Sequence, residues 1–164
     1  MTVNIDITKE LKAVEKLIKS DINKEKTILG LYNYIFKSDG KKIRSRLNLI
    51  ASSSSKNSHR YKLASIIELL HTATLVHDDV VDNASTRRGA ISVNSLWSNA
   101  HGVLIGDYIY SKAFMLMVEI GKKDILAELA DATNDISQGE LIQLDAISNI
   151  KISLNKLKKI SYFK

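Results

Sequence analysis

Cysteine and proline are both missing from this chain of 164 residues. Without cysteine there are no disulfides and no thiolate metal sites, which fits a cytoplasmic home. Ordinary usage of about 5% would give roughly eight prolines. Their absence accompanies a composition rich in Ile, Lys, Asn and Ser and is read as bias without functional weight. No run of about 18 uncharged apolar residues occurs, so no membrane span is expected. The N-terminal stretch carries Asp6, Lys9 and Glu10 and has no continuous apolar segment, which excludes a secretory signal. Aromatic residues are sparse, and none alternates with the lysines as single-strand binders require. Nucleic acid is therefore not an expected partner, despite a formal charge of +6. That charge leaves an anionic membrane face or an anionic small substrate, with solvated helix faces accounting for most of the lysines.

What is present is ordinary for a globular chain: 45% hydrophobic and 26% charged residues, enough for a single domain over residues 1–164 with its own core. The apolar spacing is helical throughout. Leu11, Val14, Leu17 and Ile18 form one stripe, with Asp6 or Thr8 near its start. Ile28, Leu31, Ile35 and Phe36 mark a second helix, and Ser38-Asp39-Gly40 is a turn. A third helix runs from Lys41 toward Ser52–Ser55, and a fourth from Tyr61 to Asp82. Asn83–Ala90 reads as a loop, Ser92–Ser98 as a short helix, and Ala100–Ile120 and Asp124–Ala146 as long ones. Ser148-Asn149 breaks the pattern, and a last helix from Ser153 is still running at Lys164, as in a chain cut short. No segment alternates with period two, so the expected fold is all-α, a helical bundle.

One segment carries the chemistry. His71-Thr72-Ala73-Thr74-Leu75-Val76-His77-Asp78-Asp79-Val80-Val81-Asp82 ends an apolar helix with three carboxylates, and Arg87-Arg88-Gly89 follows. Carboxylates repel a diphosphate, but they hold hard divalent cations, and those cations hold the diphosphate. Forked arginine donors then grip the remaining oxygens. Asp78 and Asp82, four apart, share a helix face with His71 and Thr74, while Asp79 is rotated by about 100°. Oxygen-only ligands suit Mg²⁺. The bland alternative is a salt-bridge network in which Arg87 and Arg88 compensate acids that the helix dipole disfavours.

The segment resembles the first aspartate-rich motif of the trans-polyprenyl diphosphate synthases, the all-α isoprenoid synthase family, and most closely their long-chain, octaprenyl-type members. The resemblance runs from Gly40 to the C-terminus and implies the N-terminal half to two-thirds of that fold. It implies a prenyltransferase that joins isopentenyl diphosphate to an allylic prenyl diphosphate, with Mg²⁺ at Asp78, Asp79 and Asp82 drawing charge off the leaving group. Gly40-Lys41-Lys42-Ile43-Arg44 resembles the isopentenyl diphosphate segment, giving that role to Lys41 and Arg44, joined by His71 and Arg88. A core histidine is the plainer reading of His71. Arg87 and Lys164 correspond to residues on the allylic diphosphate, and Lys164 joins the aspartates as a catalytic candidate. Gly106-Asp107-Tyr108 matches the long helix beyond, with Asp107 a structural residue, and Glu140 and Gln143 match a helix facing the active site or an exposed polar face.

Ala73 and Thr74, with Leu70 and Ile67 below them, correspond to the wall that limits product length. Their small size favours a long product, or else close helix packing. The implied partners are the two substrates, a second copy or related chain as dimer mate, and peripheral membrane contact for product release. Two local departures stand out: Asp39 where the family has glycine, and Ser45 where it has proline. The family's second aspartate-rich motif has no equivalent in these residues, since Asp131 and Asp135 sit on an earlier helix. Weak or absent activity of the chain alone follows as an expectation, with a non-catalytic subunit or remnant as the alternative.

Overall fold

The computed structural model describes residues 6–37, 40–55, 57, 59–147 and 151–163. Ser38 and Asp39 of the expected turn, Ser148 and Asn149 of the expected helix break, and the catalytic candidate Lys164 lie outside the described residues. The elements are α1 (Ile7–Ile18), α2 (Lys26–Ile35), α3 (Ile43–Ala51), α4 (His59–Val81), β1 (Thr86–Arg87), β2 (Ala90–Ile91), α5 (Val93–Leu96), α6 (Asn99–Ile120), α7 (Lys123–Ala146) and α8 (Leu154–Phe163). The all-α expectation holds. Residues 86–91, all but the last within the stretch read as a loop, close a two-stranded antiparallel hairpin that pairs Thr86 with Ile91 and Arg87 with Ala90. Two-residue strands carry too few side chains to show a period, which is why the sequence hid them.

The chain falls into two compact units, Met1–Ile120 and Gly121–Lys164. In the first, α4 is the hub and packs on α1, α3, α5 and most extensively on α6. Asp6 caps α1, accepting from Lys9 N at 3.1 Å, and the stripe Leu11, Val14 and Ile18 is buried as its spacing requires. Glu25 caps α2 through Thr27 N and Ile28 N. Tyr32 is fully buried, its hydroxyl donates to Ile18 O at 2.7 Å, and burial raises its pKa further above the ordinary phenol value.

Helix α3 has nine residues, too short to be stable alone. Its N-cap, Lys42, is left-handed and offers no side-chain cap. Glu68 on α4 supplies one from outside, accepting from Ser45 N at 3.2 Å, while the buried Ser45 hydroxyl donates to Ala64 O at 2.9 Å. A proline at this position would have no N–H to give Glu68. The departure at Ser45 is therefore matched by a local bond.

Glycines let α4 and α6 approach closely. A Cβ on Gly102 would stand 2.6 Å from Val80, and one on Gly106 would collide with the His77 ring. His77 Nε2 lies 3.2 Å from Val103 O and 3.4 Å from Asp107 Oδ1. Tyr108 Oη accepts from Asn23 N at 3.0 Å, which ties α6 to the α1–α2 connection. Each residue of Gly106-Asp107-Tyr108 thus has a packing or bonding task inside this unit.

In the second unit α7 and α8 pack on one another, with Gly139 and Ile160 buried. Leu141, Leu144, Ile147, Leu154, Leu157 and Tyr162 are exposed. Among the described residues no helix is long and apolar enough to cross a membrane.

Candidate functional site

A cavity of about 780 Å³ opens in the first unit between the C-terminal end of α2, the start of α3, the middle of α4 and the hairpin. Its apolar lining includes Ile18, Ile35, Phe36, Leu75, Val76, Ile91 and Val93. Its charged lining comprises the cations Lys37, Lys41, Lys42, Arg44, Arg87 and Arg88 and the acids Glu68 and Asp79. Cations outnumber acids around a partly apolar hollow, so the cavity suits an anion with a hydrocarbon part.

Most of these cations are set by a local device. Arg44 rides on the first turn of α3, which Glu68 caps, and Lys41 stands just before the N-cap Lys42. Lys42 pairs with Glu15 on α1. Arg44 Nη1 lies 3.3 Å from His71 Nε2. Burial first, and then the Arg44 cation, hold the His71 pKa below the ordinary imidazole value; Arg88 and Arg87 add to this and Glu68 opposes it. A neutral ring then accepts from Arg44 through Nε2, and a bound anion would favour its protonated form.

The hairpin delivers the two arginines. Arg88 (φ 53°) and Gly89 (φ 79°) form its turn. For an L-residue such as Arg88 this conformation costs about 1–2 kcal/mol. Its guanidinium lies against Gly40, where a Cβ would stand 2.5 Å from Nη1. The hairpin base is anchored at Ala84 O, which accepts from Ser92 Oγ at 2.6 Å, Asn94 Nδ2 at 3.1 Å and Ser95 Oγ at 3.3 Å. On β1, Arg87 Nε meets both Asp79 oxygens at 2.8 Å, and Nη2 meets Oδ1 at 2.7 Å. That bonding to Asp79 raises the Arg87 pKa above its ordinary value.

The residues expected on the isopentenyl diphosphate, Lys41, Arg44, His71 and Arg88, all line this cavity, and so does Arg87. Asp78 and Asp82 do not. Asp79 is buried, Asp78 half-buried with an interaction of its own, and Asp82 exposed. Among the described residues no three acidic or histidine side chains form a metal-sized cluster. Ile67, Leu70, Ala73 and Thr74 also lie outside the lining; Ala73 and Leu70 are buried, and the Thr74 hydroxyl donates to His71 O. Helix geometry accounts for this division, since each of these four, like Asp78, is rotated about 100° or more from Asp79. Glu140 and Gln143 are half-buried on α7 in the second unit.

Sequence reasoning missed Glu68, Tyr34 and the apolar floor. Running the helical register back from Asp79 instead of Asp78 gives Leu75, Thr72 and Glu68, the cavity face itself. Tyr34 lines the cavity, and its hydroxyl donates to Ile91 O at 2.7 Å, binding hairpin to α2.

Residues 6–164 match the polyprenyl synthetase family. Octaprenyl diphosphate synthase of Escherichia coli is 33% identical over 99% of this chain and 51% of its own length. A solved decaprenyl diphosphate synthase from Rhodobacter capsulatus superposes with a TM-score of 0.90 at 32% identity, over 96% of this chain and 50% of that one. A polyprenyl synthase from Caulobacter crescentus, solved with calcium and isoprenyl diphosphate, gives 0.88 at 33% identity, over 93% and 48%. The chain spans about half the length of these relatives.

Proposed function

The chain belongs to the polyprenyl synthetase family, and from that premise we propose that it carries the isopentenyl diphosphate site and the first acidic wall of a long-chain prenyltransferase. The reaction is condensation of isopentenyl diphosphate with an allylic prenyl diphosphate to a polyprenyl diphosphate. The observation that carries the reading is the convergence of Lys41, Arg44, His71, Arg87 and Arg88 on one cavity with an apolar lining. Forked and point cations bind the diphosphate, and Ile35, Leu75 and Val76 shelter the five-carbon part from water.

Oxygen donors at the end of α4 suit Mg²⁺ by chemistry. Asp78 and Asp82, four residues apart, are the pair that would hold it. A divalent cation bound there neutralises charge on the allylic leaving group. The Caulobacter relative solved with calcium and an isoprenyl diphosphate supports a divalent ion in this role. Ala73, Thr74, Leu70 and Ile67 retain their proposed role as a product-length wall on the acidic side of α4. A second copy or a related chain as partner, membrane contact for product release and a cytoplasmic location belong to the same proposal.

A second reading, a diphosphate-binding subunit with little turnover of its own, is favoured by the cavity lining, which among the described residues gathers cations and holds no acids besides Glu68 and Asp79. Incubation with isopentenyl diphosphate, farnesyl diphosphate and Mg²⁺ separates the two. Robust polyprenyl product establishes the synthase. Binding of isopentenyl diphosphate without turnover supports the subunit, and absence of both binding and turnover refutes the site.

A further inference from the structure

Of the three acids that end α4, Asp79 is the one that lines the cavity, and its carboxylate is already engaged. Arg87 Nε reaches both of its oxygens and Nη2 reaches Oδ1, all within 2.8 Å. The side chain of Asp79 is 6% exposed and that of Arg87 34%. A buried carboxylate requires a counter-charge, and here one guanidinium supplies it. The benefit also runs the other way. Arg87 is a long side chain on a two-residue strand, with many rotamers open to it unless something fixes them. Asp79 takes Nε and one Nη2 hydrogen, which leaves Nη1 and the second Nη2 hydrogen for an anion.

We propose that Asp79 is a positioning residue: its carboxylate, bound to Arg87 Nε and Nη2, holds Arg87 in the pose that grips a diphosphate. The proposal deepens the diphosphate reading above and rests on it. The helix agrees with this role: Asp79 is rotated by about 100° from Asp78, which turns it toward the hairpin and Arg87.

The competing possibility has the opposite sign. If Asp79 acts on an incoming diphosphate only as a like charge, removing it should tighten anion binding. If it acts by holding Arg87, removing it should loosen binding even though a repulsive charge is gone.

The test is calorimetric titration of the 164-residue chain with inorganic pyrophosphate in EDTA. Asp79→Ala should weaken binding about tenfold, on the scale of one charge-assisted hydrogen-bonding group. Asp79→Asn should keep most of the affinity, because its Oδ1 still accepts from Nε. In an Arg87→Ala background the effect of Asp79→Ala should reverse and tighten binding, since only repulsion is left to remove. Tighter pyrophosphate binding by Asp79→Ala in the parent chain overturns the proposal. A parent chain that binds no pyrophosphate overturns the underlying diphosphate reading, which is a different result.

Discussion

The two sides of α4 near its C-terminal end are built on different principles. On the cavity side, Glu68 caps α3, His71 meets Arg44 and Asp79 holds Arg87. On the side rotated away, Leu70 and Ala73 are buried in packing, while Asp78 is half-buried and Asp82 exposed. On the proposed reading the first side is an anion site whose cations are held in place before a ligand arrives. The second keeps a pair of acids on one helical face and depends on packing for its orientation. Rotation by about 100° per residue parts Asp79 from Asp78, while His71, nearly in line with Asp78, reaches the cavity two turns earlier, where α3 brings Arg44 to it.

The largest effect should come from attacking the cavity side. Replacing Lys41 and Arg44 together by alanine should weaken isopentenyl diphosphate binding by about a hundredfold, on the order of 1.5 kcal/mol for each of these exposed cations. Mg²⁺ affinity at Asp78 and Asp82 should be unaffected, as calorimetry with each ligand would show. A parallel loss of both would merge the two sides into one site.

Next in size is the packing that orients the acidic side. Gly106→Ala places a methyl group against the His77 ring. It should destabilise the fold by about 1–3 kcal/mol, as overpacking does, measured by urea denaturation. Metal-free diphosphate affinity should fall less than the Mg²⁺-dependent gain, because His77 adjoins Asp78 and not the cavity lining. Equal losses would show that His77 supports the helix as a whole.

The smallest effect concerns His71. Its imidazole should titrate below 6.5, the ordinary value from which burial and then Arg44 depress it. Binding an anion favours the imidazolium, so the pKa in the complex must exceed that in the free protein. Affinity should therefore rise as pH falls through the complex's value and level off below the free one. Arg44→Gln removes a cation and should raise the free value. Imidazole C–H shifts followed by NMR read all of this. A His71 pKa that fails to rise on ligand binding would remove the ring from the site.

Most of the architecture was legible in the sequence because apolar spacing is a direct record of burial. Leu11, Val14 and Ile18, read as a stripe, are the buried face of α1. The long α4 and α6 end within two residues of the positions their patterns give. The hairpin at 86–91 was not legible, being too short for a period and fixed instead by Ser92, Asn94 and Ser95 converging on Ala84 O. In the site, Arg87 and Arg88 stand out by residue type beside the acids, while Lys41, Arg44 and His71 are named through the resemblance of their motifs to the family's. The partition of the acids could not. Spacing along a helix gives the angle between Asp78 and Asp79, but not which of them meets Arg87, since that depends on where the hairpin folds back. Asp82 and His71 lie on the register through Asp78, whereas the register through Asp79 leads to Leu75, Thr72 and Glu68 in the cavity lining.

The central claim is that the cations of this cavity form a diphosphate site without help from a metal. Titrating the 164-residue chain with isopentenyl diphosphate in EDTA tests it most directly. Saturable binding that Arg44→Gln weakens about tenfold and Asp78→Asn leaves unchanged is the predicted result. No binding until Mg²⁺ is added, or equal loss in both variants, would contradict it.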